Sequence, residues 1–137
     1  MQPFEIIDHT ADLGLAARGA TRDELFANTA LGMMSIIGDA ERVAEAETRP
    51  VRATADDPAA LLAAFLGELL FLLEVDGFVT RRVEVESVTD RDVRATAYGE
   101  PLGPHHELKT EIKAVTHHDL SVEQRDGTWH ATVLFDV

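Results

Sequence analysis

The sequence predicts an α+β fold, two helices packed on a mostly antiparallel sheet, and three observations carry that prediction. Two stretches, Thr21 to Ile37 and Leu61 to Leu73, have helical patterning, and each is preceded by helix-start residues. From Val83 onward, apolar residues alternate instead with polar ones, the period of a half-buried strand. Turn-forming residues, Thr89-Asp90-Arg91-Asp92 and Asp126-Gly127, break that second half at hairpin spacing. With 137 residues, 45% of them apolar, residues 1–137 are expected to form a single domain that buries its own core.

Taken in order, Phe4-Glu5-Ile6-Ile7 reads as a strand and Leu13 to Ala17 as a second. The polar turn between them places its side chains at one rim of the sheet. Thr21-Arg22-Asp23-Glu24 has the form of a capping box, and Phe26, Ala30, Met33 and Ile37 share one face of the helix that it opens. Met33 and Met34 are read as core filler. Val51 to Thr54 alternates like a short strand. Asp56-Asp57-Pro58 then supplies an N-cap and a proline for the first turn of the next helix. That helix, Leu61 to Leu73, is apolar nearly all round but falls well short of the about 20 residues that a membrane span needs. It is therefore expected to be the most buried helix, with Glu68 on its wet edge. Val83–Val85 and Val93–Ala97 form a hairpin, Glu100 to Pro104 a loop, and His105–Val115, Leu120–Gln124 and Trp129–Phe135 further strands. Asp126-Gly127 joins the last two.

Composition excludes several function classes. There is no cysteine, so disulfides, Cys-bearing zinc sites and thiol nucleophiles are ruled out. Twenty-five acidic residues against 12 Lys and Arg give a formal net charge of −13, and the lysines are Lys109 and Lys113 alone. A chain this acidic is repelled by phosphate, so autonomous nucleic-acid binding is not expected. No basic leader followed by an apolar run is visible and no segment suits a membrane, so the expected location is cytoplasmic. A His-Glu-x-x-His pair, a phosphate loop, a dinucleotide fingerprint and a Gly-x-Ser-x-Gly elbow are all absent. His105-His106 and His117-His118 look like metal pairs, but neighbours on a strand point to opposite faces. Outside a loop, each pair can give one ring to a given site.

The chemistry concentrates at the two ends. Asp8-His9-Thr10-Ala11-Asp12-Leu13-Gly14 puts two carboxylates and an imidazole into a turn, although Asp, Thr and Gly are also ordinary turn residues. At the other end, Trp129, Ala131, Val133 and Phe135 share one strand face, and Asp136 is followed by Val137. If that strand ends near the first turn, several oxygen anions converge, and such a cluster requires protons or a hard cation such as Ca²⁺ or Mg²⁺. Glu111 and Lys113 lie on one face of their expected strand, either as an exposed ion pair or, with His118, beside the opening loop.

The Asp8-to-Gly14 turn, the late Glu111-Ile112-Lys113-Ala114-Val115-Thr116 run followed by His118, and terminal Phe135-Asp136-Val137 together resemble the archease family along the whole chain. The helix opening at Thr21 to Phe26 and Glu68-Leu69-Leu70 in the apolar helix fit the same pattern. This resemblance implies an archease-like α+β domain that is not a catalyst but an activator of an RtcB-type RNA ligase. Such a protein promotes guanylylation and multiple turnover of the ligase in tRNA splicing or RNA repair. It also implies a divalent-metal site, Ca²⁺ first with Mg²⁺ or Mn²⁺ as alternatives, on Asp12, Asp136 and Val137. Asp8, His9, Lys113 and His118 are candidate neighbouring or partner contacts. His117 stands where the family usually has Tyr and is read as a surface residue. Two other classes compete. One is a small metal-dependent hydrolase on the Asp12/Asp136 cluster, with His9 or His118 as general base; the other is a chaperone-like scaffold module with a structural metal.

Overall fold

The computed structural model describes residues 2–8 and 12–137, with the backbone alone for Asp8. In chain order the elements are β1 (Phe4–Asp8), β2 (Asp12–Gly19), α1 (Arg22–Ile37), a single 3₁₀ turn (Ala40–Arg42), β3 (Glu47–Thr54), α2 (Pro58–Glu74), β4 (Phe78–Val88), β5 (Asp92–Pro101), β6 (Ala114–Arg125) and β7 (Thr128–Asp136). The fold is α+β as expected, and every strand pairing is antiparallel. The strands form two sheets, ordered β1-β2-β7-β6 and β3-β5-β4. Helix α1 lies against β2 and β4, and α2 lies against β6, β3 and β4, so each helix packs on both sheets.

Both helices begin where the capping chemistry placed them. The Thr21 hydroxyl accepts the Glu24 N–H at 3.1 Å, and the Asp57 carboxylate accepts the Ala60 N–H at 2.8 Å. Each satisfies a donor that the first helical turn leaves unpaired. Phe26, Ala30, Met33 and Ile37 are buried on α1, as is Met34. On α2, Leu61, Leu62, Phe65, Leu66 and Leu69 have no exposed surface, whereas Glu68 faces solvent. The Phe26 and Phe65 rings meet at 5.5 Å and join the two helices. No helix among the described residues is long and apolar enough to cross a membrane.

Three elements differ from the sequence expectation. Strand β3 starts at Glu47 and runs through Pro50, which an edge strand tolerates because its N–H side need not enter a ladder. Residues 105–113 are not a strand. Their backbone serves α1 instead: Lys109 and Thr110 donate to the Ile37 carbonyl at 2.7 and 3.3 Å, and Leu108 makes one bridge pairing with Gly38. Ile37 ends its helix with an unpaired carbonyl, and this loop satisfies it. Ile112, the apolar member of the Glu111-Ile112-Lys113 alternation, is buried in the core without a ladder around it. Finally, Ala114 to Arg125 is one strand interrupted by a bulge between Thr116 and Ser121, where Asp119 takes a φ of 54°. The hairpin turn after it has positive φ at both Asp126 and Gly127, the geometry that an Asp-Gly pair favours.

Strand β5 is the middle of its sheet, and Gly99 is where β4 comes closest. A Cβ at Gly99 would lie 1.8 Å from the Val79 carbonyl oxygen. Gly99→Ala must therefore push two paired backbones apart, with an expected loss of about 3 kcal/mol or more in urea unfolding. Gly67, in the middle of α2, has nothing within 4 Å of its Cβ position. Gly67→Ala should instead stabilise by up to about 1 kcal/mol through helix propensity. Equal effects from the two substitutions would show that the close approach at Gly99 does not restrain the sheet.

Candidate functional site

The central pair of the first sheet, β2 and β7, sets the site. Their register places Leu13 opposite Phe135, Leu15 opposite Val133 and Asp12 opposite Asp136. Opposed residues of an antiparallel pair project from the same face, with Cβ atoms about 4.5–5.5 Å apart. Leu15, Val133 and Phe135 fill the core face, so Asp12 and Asp136 belong to the other face, at the end of the sheet. Asp12 is half-buried, Asp136 is exposed, and Val137 follows with 42% of its surface exposed. On the far side of β7, Ala114 is the partner of Asp136, and the Lys113 N–H donates to the Asp136 carbonyl at 2.7 Å. The Lys113 side chain is exposed at this rim.

The other candidates are distributed differently. Asp8 closes β1 opposite Leu13, one ladder step from Asp12. His9 lies outside the described residues. His118 sits on the β6 bulge, four residues beyond Ala114, with Nε2 3.4 Å from the Asp119 carboxylate. His117 is exposed on the same bulge and lines a shallow groove with Lys113 and the α2 residues Gly67 and Phe71. Two opposed carboxylates form a hard-oxygen donor pair, which fits Ca²⁺, Mg²⁺ or Mn²⁺ and offers nothing to a thiophilic ion.

The Archease protein family (MTH1598/TM1083) matches residues 4–137. This chain belongs to the archease family. The archease of Methanosarcina mazei is 40% identical over 98% of this chain and 95% of its own length, and that of Pyrococcus abyssi is 37% identical over the whole of both. The solution structure of Methanobacterium thermoautotrophicum protein 1598 superposes with a TM-score of 0.83 at 36% identity over the full length of both chains. A Thermotoga maritima archease, described as a possible chaperone, shares the fold with a TM-score of 0.68 at 20% identity over 96% of this chain and 94% of its own.

This archease-family chain has a second polar cluster, which alternation along a strand could not reveal. His105 and His106 lie in the loop after β5, so both rings turn toward the same group, the Glu100 carboxylate, at 3.2 and 2.9 Å. The rings are 3.9 Å apart, and the His106 side chain is almost wholly buried. Three such ligand atoms within 4.8 Å of one another have the composition of a metal site. The hydrogen bonding has the wrong polarity for one. Gly103 N–H donates to His106 Nδ1 at 2.8 Å, so the ring proton is on Nε2, where it donates to Glu100 and leaves no lone pair for an ion. The cluster is a clasp that fixes the start of the 102–113 loop. The signal in the sequence was Glu100 five and six residues before two histidines.

The Ala44 N–H, at 2.8 Å, and then the two imidazoles hold the Glu100 pKa down from 4.5 to about 2. A depressed carboxylate stabilises the fold above its unfolded pKa, and that contribution is lost as pH falls from about 4.5 toward 2. In urea titrations between pH 7 and pH 2, Glu100→Gln should flatten the decline in stability over this window. An unchanged acid limb would mean that the clasp contributes nothing to the fold.

Proposed function

We propose that this archease-family chain is not a catalyst but an activator of an RtcB-type RNA ligase, working in the cytoplasm. It would promote guanylylation and multiple turnover of that ligase in tRNA splicing or RNA repair. Its working site is the rim where β2 starts and β7 ends, with Asp12, Asp136 and the Val137 α-carboxylate holding a divalent cation, Ca²⁺ first and Mg²⁺ or Mn²⁺ as alternatives. The observation that carries the reading is the register of Asp12 against Asp136, in a chain that matches the archease family from residue 4 to residue 137.

Several features support it. A formal charge of −13 works against holding RNA unaided, which favours action through a protein partner. Asp136, Val137 and Lys113 are exposed at this rim, where a partner can approach. Carboxylates lie on one side and Lys113, anchored through its N–H to Asp136, on another, so docking there can be oriented by charge of both signs. When bound, the cation would supply positive charge to offset two or three carboxylates and a Lewis-acidic centre for a partner's phosphate or carboxylate oxygens. Asp12 and Asp136 hold the donor set in place through their ladder positions. Of the two general bases that a hydrolase on this rim could use, His118 lies on the β6 bulge beside Asp119, and His9 lies outside the described residues.

Calorimetric titration with Ca²⁺ tests the site. Asp12→Ala and Asp136→Ala should fold normally and lose at least about tenfold in affinity. A C-terminal tag that turns the Val137 carboxylate into an amide should weaken binding, whereas an N-terminal tag should not. For function, limiting ligase is supplied with excess GTP, Mn²⁺ and RNA. Added wild-type protein should carry ligation past one product per ligase, the two Asp variants should not, and Lys113→Ala should have a smaller effect. A plateau at one equivalent that wild-type protein leaves unchanged would sink the assignment.

A further inference from the structure

We propose that Thr116 is a positioning residue of the acidic rim, whose Oγ1 hydrogen-bonds a water in the hydration shell of the bound cation; this rests on the reading of the rim given above. Thr116 Oγ1 is buried and has no hydrogen-bond partner among the described residues. A buried hydroxyl in that state is a standing cost to the fold, and native structures keep few of them without a ligand or ordered water.

Its position gives the orphan a use. Thr116 pairs with Leu134 on β7, one same-face step from the row in which Ala114, Asp136 and Asp12 stand side by side. Thr116 therefore projects from the face that carries the two carboxylates, about 6.6 Å along the strand from Ala114. Asp136 is the diagonal neighbour of Thr116 one strand over, with Cβ atoms about 7–8 Å apart, and Asp12 is a strand further, so the proposal gives Oγ1 a water and not the ion itself as its partner. Ca²⁺ and Mg²⁺ keep waters when protein donors are few, and a water at about 2.4 Å from Ca²⁺ extends the reach by a further hydrogen bond of about 2.8 Å. A hydroxyl both accepts and donates, so it can orient such a water. Ala114, its neighbour toward the rim, and Leu134, its partner across the ladder, are both apolar.

The competing explanation is a strand threonine whose methyl packs and whose hydroxyl is idle. Thr116→Val keeps the shape and removes the oxygen; Thr116→Ser keeps the oxygen. Melting temperature without divalent ions, the rise in that temperature on adding Ca²⁺, and the calorimetric Kd for Ca²⁺ separate the two explanations. Under the proposal, ion-free Thr116→Val melts at or above wild type because the orphan is gone. Its Ca²⁺ affinity falls about three- to tenfold, the Ca²⁺-induced rise shrinks, and Thr116→Ser restores both. If Thr116→Val binds Ca²⁺ like wild type while Asp12→Ala does not, the rim stands and the role of Thr116 is overturned. Absence of Ca²⁺, Mg²⁺ and Mn²⁺ binding by wild type itself overturns both.

Discussion

The pairing of β2 with β7 is the constraint on which the rest of the structure depends. Strand pleating has a period of two, so a slip of one residue between the two strands would send either Leu13, Leu15 and Ala17 or Ala131, Val133 and Phe135 outward. Burying each large side chain in that set is worth about 1.5–3 kcal/mol. The same register forces Asp12 against Asp136, a like-charge pair that costs about 1 kcal/mol near solvent. The apolar sum is several times larger, so the core holds two carboxylates together at the sheet end against their own repulsion. A site made this way needs no strained backbone. It follows from a core that cannot be packed in another register.

The loop between β5 and β6 closes the other side of that rim. Glu100 and His106 fasten its start, Ile37 takes two of its amides, Ile112 anchors it in the core, and Lys113 ends it on the Asp136 carbonyl. Most of these contacts are polar, and together they do the work that a ladder does elsewhere. The loop thus joins the end of α1 to the end of β7 and fixes Lys113 beside the acidic pair.

What was legible in the sequence follows from the range of the interactions involved. Helix starts at Thr21 and Asp57, the α1 core face and the Asp126-Gly127 turn are set by residues a few positions apart, and all appear as read. The alternation along β7 was also legible, and with it the side of the strand on which Asp136 falls. Strand β3 reaches back over Glu47 to Pro50, where no apolar residue alternates with the polar ones to signal a strand, and its edge position accommodates Pro50. Residues 105–113 alternate like a strand, yet their donors answer an unpaired carbonyl at Ile37, about seventy positions earlier in the chain. The convergence of Glu100, His105 and His106 was hidden by the same error, since rings on a strand would have pointed apart. One sheet became two because alternation reports that a strand is half-buried and not which strand it joins.

The openness of the rim bears on the choice between an enzyme and an accessory factor. An enzyme of this size needs a cavity that excludes water and supplies anchors of both signs around the reacting atoms. Asp136 and Lys113 are exposed, and Val137 is nearly half so. An ion bound at such a rim has protein on one side and water on the other, and that water exchanges easily for a partner's oxygen atoms. On the proposed reading, such an edge suits docking onto another protein's site. The acidity of the chain strengthens this asymmetry: it discourages direct contact with RNA while favouring a cation-rich partner surface. On the proposed reading the chemistry of ligation would belong to the partner, and this fold would contribute a charged edge whose geometry its hydrophobic core dictates.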